Sequence, residues 1–335
     1  MAADQPVTID TQHEDMIHDA QFDYYAKKVA TCSSDRTIQI YDVTGDVYNK
    51  SAVLTGHDGP VWQVAWAHPK FGVLLASCSY DGQVIIHRES PQSCWTQIHV
   101  HRFHESSVNS LAWAPHEFGL VLACASADGR VSILTHQTDD RWTTAHFQDS
   151  PLGCNAISWA PYNAIGSQNE RGAVEMRVVT GSCDNKVRFW RSTERGWEEE
   201  AKQADVHSDW VRDVAWAPSS GMPCNLVASG SEDGQVHIWQ QTETSGAPTS
   251  GGGAASSPAS GQAVWQPHLV HNFGAPVWRV SWSVTGNVLA VSSGDHMVTL
   301  WKQSLDGTWF QVSSVKEEAQ AAGGTASVVT PTPAS

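Results

Sequence analysis

The sequence predicts an all-β, six-bladed β-propeller, and three observations carry that prediction. An Asp in a tight-turn setting recurs six times, at Asp35, Asp81, Asp128, Asp184, Asp233 and Asp295, at intervals of 46, 47, 56, 49 and 62 residues. Each stands six residues before the end of an apolar segment, at Tyr41, His87, Leu134, Trp190, Trp239 and Trp301. A second aromatic series precedes it, at Phe22, Trp66, Trp113, Trp159, Trp216 and Trp282. Self-similarity at this period, built from short strand-like segments, is the mark of propeller blades.

Four elements follow one another in every repeat. The first is a strand ending on the aromatic residue. Nine positions before that aromatic stand His13, His57, His104 and His207 in four repeats, but Ser150 and Phe273 in the other two. The second is a short apolar strand, such as Leu226-Val227-Ala228-Ser229. The Asp turn comes next, and Asp-Gly at 81–82, 128–129 and 233–234 suits a hairpin that needs positive φ. The third strand alternates, as in Gln235-Val236-His237-Ile238-Trp239. The fourth opens on Trp95, Trp142, Trp197, Trp265 or Trp309; repeat one lacks that Trp and uses Ser51 to Leu54. Such short, β-branched segments between Gly or Asp turns are strand-and-hairpin signals. The blades span roughly 13–54, 55–100, 101–147, 148–206, 207–270 and 271–315 within one domain, 1–315.

With 335 residues, 41% of them hydrophobic and 16 Trp, one repeat array can bury a large core. Asp+Glu number 35 against 20 Lys+Arg, a net charge of −15, which argues against nucleic acid as a partner because phosphate backbones demand a basic face. The seven Cys stand singly, without metal-ligand spacing. Cys32, Cys78, Cys124 and Cys183 precede the repeat Asp by one to four residues and suit a crowded blade interior as thiols. No cofactor or metal site is read from the sequence. The first residues lack the basic start and apolar run of a secretion signal, and no 18-residue apolar run occurs, so a cytoplasmic chain is expected.

The pairs His57/Asp81, His104/Asp128 and His207/Asp233 could be drawn as catalytic. Their recurrence argues otherwise, since one enzyme needs one site. They are expected, with Trp239, to form a buried hydrogen-bond network tying each blade's loop to its hairpin. No catalytic residue is assigned. Residues 162–174 lengthen the first hairpin of blade four, while 241–263 and 316–335 are rich in Gly, Ser, Ala and Pro and read as disordered.

Six blades leave Val7-Thr8-Ile9 over. That strand either completes blade six in a closed ring, displacing Trp309-Phe310-Gln311-Val312, or begins a seventh blade whose other strands are missing. The second arrangement would leave the flanks of blades one and six bare, a surface that a partner's strands would fill.

Several stretches are more specific than the repeat itself. Gly56 to Gly72 (GHDGPVWQVAWAHPKFG), Ser107 to Gly119 (SVNSLAWAPHEFG), Asp209 to Pro218 (DWVRDVAWAP) and Gly274 to Trp282 (GAPVWRVSW) resemble the Sec-thirteen family of WD-repeat propellers, and the similarity runs from about Val7 to Val312. The long Gly/Ser loop and the tail depart from it. The resemblance implies an open six-bladed ring whose N-terminal strand joins a seventh blade supplied by a partner. It implies a scaffold of the COPII outer coat in ER-to-Golgi transport, completed by the coat's helical-rod subunit and peripheral to the membrane through it. It also implies a place in the Y-shaped complex of the nuclear pore beside a helical nucleoporin, and in a TOR-regulating vacuolar complex. On the open-ring reading, the expected partner-binding residues are Val7, Thr8, Ile9, Met16, Ile17, Ala20, Val277, Trp278 and Val280, the blade residues having a core role as the alternative. A ubiquitin-ligase substrate receptor, the competing class, would carry Trp-Asp-x-Arg where this chain has Trp190-Arg191, Trp239-Gln240 and Trp301-Lys302.

Overall fold

The computed structural model describes residues 8–169, 171–200, 202–219, 224–242, 265–316 and 327–329. After β1 (Thr8–Asp10), blade one comprises β2 (Ile17–Phe22), β3 (Lys28–Ser33), β4 (Ile38–Thr44) and β5 (Val47–Leu54). Blade two holds β6 (Val61–Trp66), β7 (Leu74–Ser79), β8 (Val84–Glu89) and β9 (Trp95–His101), and blade three β10 (Val108–Trp113), β11 (Val121–Ser126), β12 (Arg130–His136) and β13 (Trp142–Gln148). Blade four has β14 (Cys154–Trp159), β15 (Arg177–Ser182), β16 (Val187–Thr193) and β17 (Gly196–Glu199). Blade five has β18 (Val211–Trp216), β19 (Cys224–Ser231), β20 (Gln235–Thr242) and β21 (Trp265–Asn272). Blade six has β22 (Val277–Trp282), β23 (Val288–Ser293), β24 (Met297–Gln303) and β25 (Trp309–Lys316). Each blade is a four-stranded antiparallel meander, and the molecule is a six-bladed β-propeller.

The repeated Asp has a local cause. In every blade its side chain accepts the backbone N–H two residues on: Thr37, Gln83, Arg130, Lys186, Gln235 and Met297, at 2.8–3.3 Å. That Asx turn aims the chain back into the third strand. The residue after the Asp lies at positive φ, as Gly82, Gly129 and Gly234 where Gly is present, and as Arg36, Asn185 and His296 where it is not.

Blades pack face to face. On the side turned toward the following blade, each blade of the first five presents paired residues from its second and third strands: Ala30 and Ile40, Ala76 and Ile86, Ala123 and Ile133, Val179 and Phe189, Ala228 and Ile238. All are 2% exposed or less. They meet two residues of the next blade's inner strand: Val61 and Val64, Val108 and Leu111, Cys154 and Ile157, Val211 and Val214, Val277 and Val280, likewise buried. At Gly230 a Cβ would come within 2.5 Å of Val277 Cγ1, so the closest approach of blades five and six needs that glycine. Cys32, Cys78 and Cys124 fill these junctions as buried thiols, their pKa values pushed up by burial; Cys183 is half-buried.

Two insertions read differently in the structure. The segment 162–174 is more than a spacer, because the Ile165 carbonyl accepts from Arg177 Nη1 and from Asn225 Nδ2, both at 2.8 Å, linking blades four and five. The second insertion does not begin at 241. Strand β20 runs to Thr242, and Gln241 is fully buried with its Oε1 accepting from Asn225 Nδ2 at 2.6 Å. The rest of that insertion, from 243 on, and most of the tail lie outside the described residues, apart from β26 (Ser327–Val329).

Candidate partner interface

The histidines are cross-links. A carboxylate can only accept, so in blade five His207 Nδ1 donates to Asp233 Oδ2 at 3.3 Å, leaving Nε2 to accept from Ser229 Oγ at 2.8 Å. Trp239 Nε1 in turn donates to Ser229 Oγ at 2.9 Å. His57 joins Asp81 (3.1 Å) and Ser77 (2.8 Å), and His104 joins Asp128 (3.0 Å) and Ser132 (2.8 Å) in the same way. His13 repeats it with Asp35 at 2.6 Å and Thr31 at 2.9 Å. Burial acts to raise the Asp81 pKa, but His57 and the N–H groups of Gln83 and Asp58 outweigh it and hold the carboxyl at about 2. These charges are spent on internal bonds, four times over, which is architecture rather than a converging reactive site.

Blade four rewires the network, and the sequence pattern missed how. Ser150 holds the His position, but the adjacent Asp149 is buried and accepts from Thr180 Oγ1 at 2.5 Å, from Ser182 Oγ, and from Trp190 Nε1 at 3.1 Å. The repeat Asp184 pairs with Arg188 and accepts a hydrogen bond from the Ser150 hydroxyl. Arg177 also escaped notice. Fully buried, it grips Glu200 with Nε and Nη2 at 2.6 and 2.8 Å and lies over the rings of Trp216 and Trp265. A lone Arg on an apolar strand gives no periodic signal.

The ring has a seam between blades six and one. Neighbouring inner strands run β2, β6, β10, β14, β18, β22, and the series stops there. The face of blade six that corresponds to those buried elsewhere carries Ala290 opposite Leu300 and Ser292 opposite Val298. Ala290 and Leu300 are only half-buried, and Val298 is 42% exposed, whereas Val236 at the same place in blade five is 0% exposed. Phe310 and Val315 of β25 are about half-exposed on the same blade. Blade six thus has an apolar flank with nothing against it among the described residues.

Blade one meets the seam with its inner-strand positions. Ile17 and Ala20 correspond to Val61 and Val64, yet both are half-buried while those valines are 1% exposed or less. Strand β1 covers part of this flank. Ile9 is buried against Val29 and Tyr41, and Tyr41 donates its hydroxyl to the Thr11 carbonyl at 2.8 Å. β1 pairs with β26, Ile9 opposite Val328, in a separate two-stranded sheet, and β25 keeps the outer place in blade six. The N-terminal strand therefore does not displace β25, and blade six keeps four strands of its own.

Of the residues expected at the seam, Ile9, Ile17 and Ala20 lie there, and Met16 is exposed just before β2. Thr8 belongs to β1, and Val7 lies outside the described residues. Val277 and Val280 do not lie there: they are buried against Ala228 and Val236 of blade five. The same position was chosen on both terminal blades, but inner-strand residues face the preceding blade, so on blade six the seam falls to β23 and β24 instead. Trp278 sits at the axis, its ring 5.1 Å from the Arg212 guanidinium. At the centre of the seam Arg279 Nη2 approaches Asp19 Oδ1 at 3.7 Å, linking blade six to blade one by charge.

Comparison with known proteins matches the WD domain, G-beta repeat model at residues 4–42, 48–88, 201–240 and 266–302, and the anaphase-promoting complex subunit 4 WD40 domain model at 72–161. The chain is 50% identical to protein transport protein SEC13 homolog A of Arabidopsis thaliana, over 93% of this chain and 99% of that protein. It is 49% identical to the human protein SEC13 homolog, over 92% and 93% of the two chains. With protein transport protein SEC13 of Mycosarcoma maydis it shares 44% identity over 94% and 96%.

Proposed function

The chain belongs to the SEC13 family of WD-repeat protein-transport proteins, and from that footing we propose that it is a structural subunit of the COPII outer coat acting in ER-to-Golgi transport. Its open ring is completed by a blade inserted from the coat's helical-rod subunit. The same seam accepts a helical nucleoporin in the Y-shaped complex of the nuclear pore, and the protein also serves a TOR-regulating vacuolar complex. It works on the cytoplasmic face of ER exit sites and COPII vesicles and at the pore, reaching membranes only through its assemblies.

The observation that carries this reading is the bare flank of blade six, where Ala290, Val298 and Leu300 hold positions that every other blade buries. An inserted blade would cover that flank and the half-buried Ile17 and Ala20, and would pair along β1. Main-chain hydrogen bonds along a strand edge supply affinity, and the apolar faces supply the rest. The role is mechanical: a joint of this kind fixes the direction of a rod.

The test is affinity purification of the full chain from its own cells with quantified stoichiometry. Recovery of a helical coat subunit and a helical pore subunit, together near one-to-one with the propeller, is expected. A propeller recovered as a free, stable monomer would overturn the reading.

A further inference from the structure

A cavity of about 560 Å³ opens on the propeller axis, at the end where the inner strands begin, and all six blades contribute to it. Its rim is aromatic. Trp210 and Trp278 are 45% and 47% exposed, and Trp62 is half-buried beside them. Trp62 is held in place, its Nε1 donating to Ser107 Oγ at 2.8 Å and its ring meeting His18 edge-on at 4.5 Å. Large indole surfaces left in water at a concave site are characteristic of binding surfaces.

What these indoles accept is visible from one occupant already present. The Arg212 guanidinium lies 5.1 Å from the ring centroids of both Trp210 and Trp278, with its Nε donating to Glu232 at 2.6 Å. The two rings are a cation-binding pair. The surrounding loops add negative charge. Outside the cavity's own lining, Glu14, Asp15, Asp58 and Asp209 in the segments that lead into β2, β6 and β18, and Asp295 in the β23–β24 turn, are exposed and take part in no ion pair among the described residues. Against them stand Arg36 and Arg102, which join no ion pair among the described residues, Arg102 donating to Gln83, while Arg212 and Arg279 are matched by Glu232, Asp19 and Asp213. An acidic, indole-lined mouth favours a cationic chain and repels an acidic one.

We propose that the axial mouth binds an extended, arginine- or lysine-bearing segment of a partner protein, its cations lying against Trp62 and the exposed surfaces of Trp210 and Trp278 that Arg212 leaves free, within the surrounding carboxylates. This surface is separate from the bare flank of blade six, so it would remain open when the seam is filled.

The test uses the full chain and two fluorescein-labelled dodecapeptides, one alternating Arg and Gly, the other Glu and Gly, followed by fluorescence polarisation. Saturable binding of the Arg probe alone is expected. The exposed pair Trp210→Ala/Trp278→Ala should weaken it about tenfold while leaving the melting temperature nearly unchanged. Asp58→Asn/Asp209→Asn should weaken it and flatten its dependence on salt. Equal affinity in the double Trp variant would reduce the effect to bulk charge and overturn the proposal. So would absence of saturable binding, or preference for the Glu probe.

Discussion

Trp66 Nε1 donates to the backbone carbonyl of Gln21, 3.0 Å away on the preceding blade. Trp113 does the same to Ala65 at 3.0 Å, Trp159 to Ala112 at 2.8 Å and Trp282 to Ala215 at 3.0 Å. Each indole bolts its blade to the one before. Trp216 breaks the series: its N–H finds no acceptor among the described residues, and Arg177 lies over its ring. Blade one, which faces blade six across the seam, carries Phe22 at this position, and Phe22 has no N–H to donate.

The indole bolts are therefore predicted to differ in worth. Trp113→Phe should lower unfolding free energy by about 1–3 kcal/mol, one hydrogen bond plus imperfect packing. On the proposed open ring Phe22→Trp should gain nothing, because blade six would then offer it no carbonyl. Urea titration of both variants checks the pair; a clear gain from Phe22→Trp would mean that the ring can close on itself.

Position in the ring should decide the effect of one change made twice. Leu300→Asp on the open flank should alter the isolated propeller's stability by no more than about 1 kcal/mol, and it should abolish capture of the partner blade. Ile238→Asp, at the same register in blade five, buries an unpaired carboxylate and should prevent folding. Thermal melts and co-purification of each variant separate the outcomes.

Acid should loosen the blades before the His-paired carboxylates of Asp35, Asp81, Asp128 and Asp233, all held below their ordinary range, are protonated. Burial lowers the pKa values of His87, His101 and His237 from 6.5 to about 4. A group depressed in the folded state stabilises above its unfolded pKa, and that stability drains as pH falls from 6.5 through 4. Denaturant midpoints should accordingly fall between pH 7 and pH 4.5, and His237→Gln should make the fall shallower. A flat profile across that range would contradict the assignment.

Blade four offers a test of its substituted network. Asp149→Ala strands the hydroxyls of Thr180 and Ser182, leaves Trp190 Nε1 only Thr180 Oγ1, and should cost about 3 kcal/mol. Ser150→Ala, at the position where other blades keep their His, removes a hydroxyl that accepts from Leu152 N at 3.2 Å and donates to the half-buried Asp184 carboxylate. It should cost under about 1 kcal/mol. Chemical denaturation ranks the two, and the reverse order would restore Ser150 as the partner.

The strands, their order and the His–Asp cross-links were legible because each recurs at a fixed offset from a turn that only a few residues can make. Asp149 was not, since its carboxylate does the work one residue away from the repeat position. Val277 and Val280 were misplaced for a different reason. Alternation along a strand says which residues share a face, but not which neighbour that face meets; the handed order of the blades decides it. Gln241 looked like the start of a polar loop, because a buried amide and a solvated one are the same letter. Phe22 stood in plain view among five tryptophans, yet its meaning depends on a carbonyl that only the folded ring locates.

Between consecutive blades the propeller is joined by apolar faces, whereas across the seam the contact at the axis is Arg279 with Asp19. Mechanically that makes the molecule a split washer. Packed faces resist shear because sliding them apart opens voids, whereas a single ion pair 3.7 Å apart sets no interlocked surface against sliding. Torque on the ring will concentrate at the split, lifting one lip over the other so that the disc takes on the pitch of a single screw thread. The inserted blade proposed above would act as a wedge that sets that pitch, and with it the angle at which the disc hands load to its neighbours.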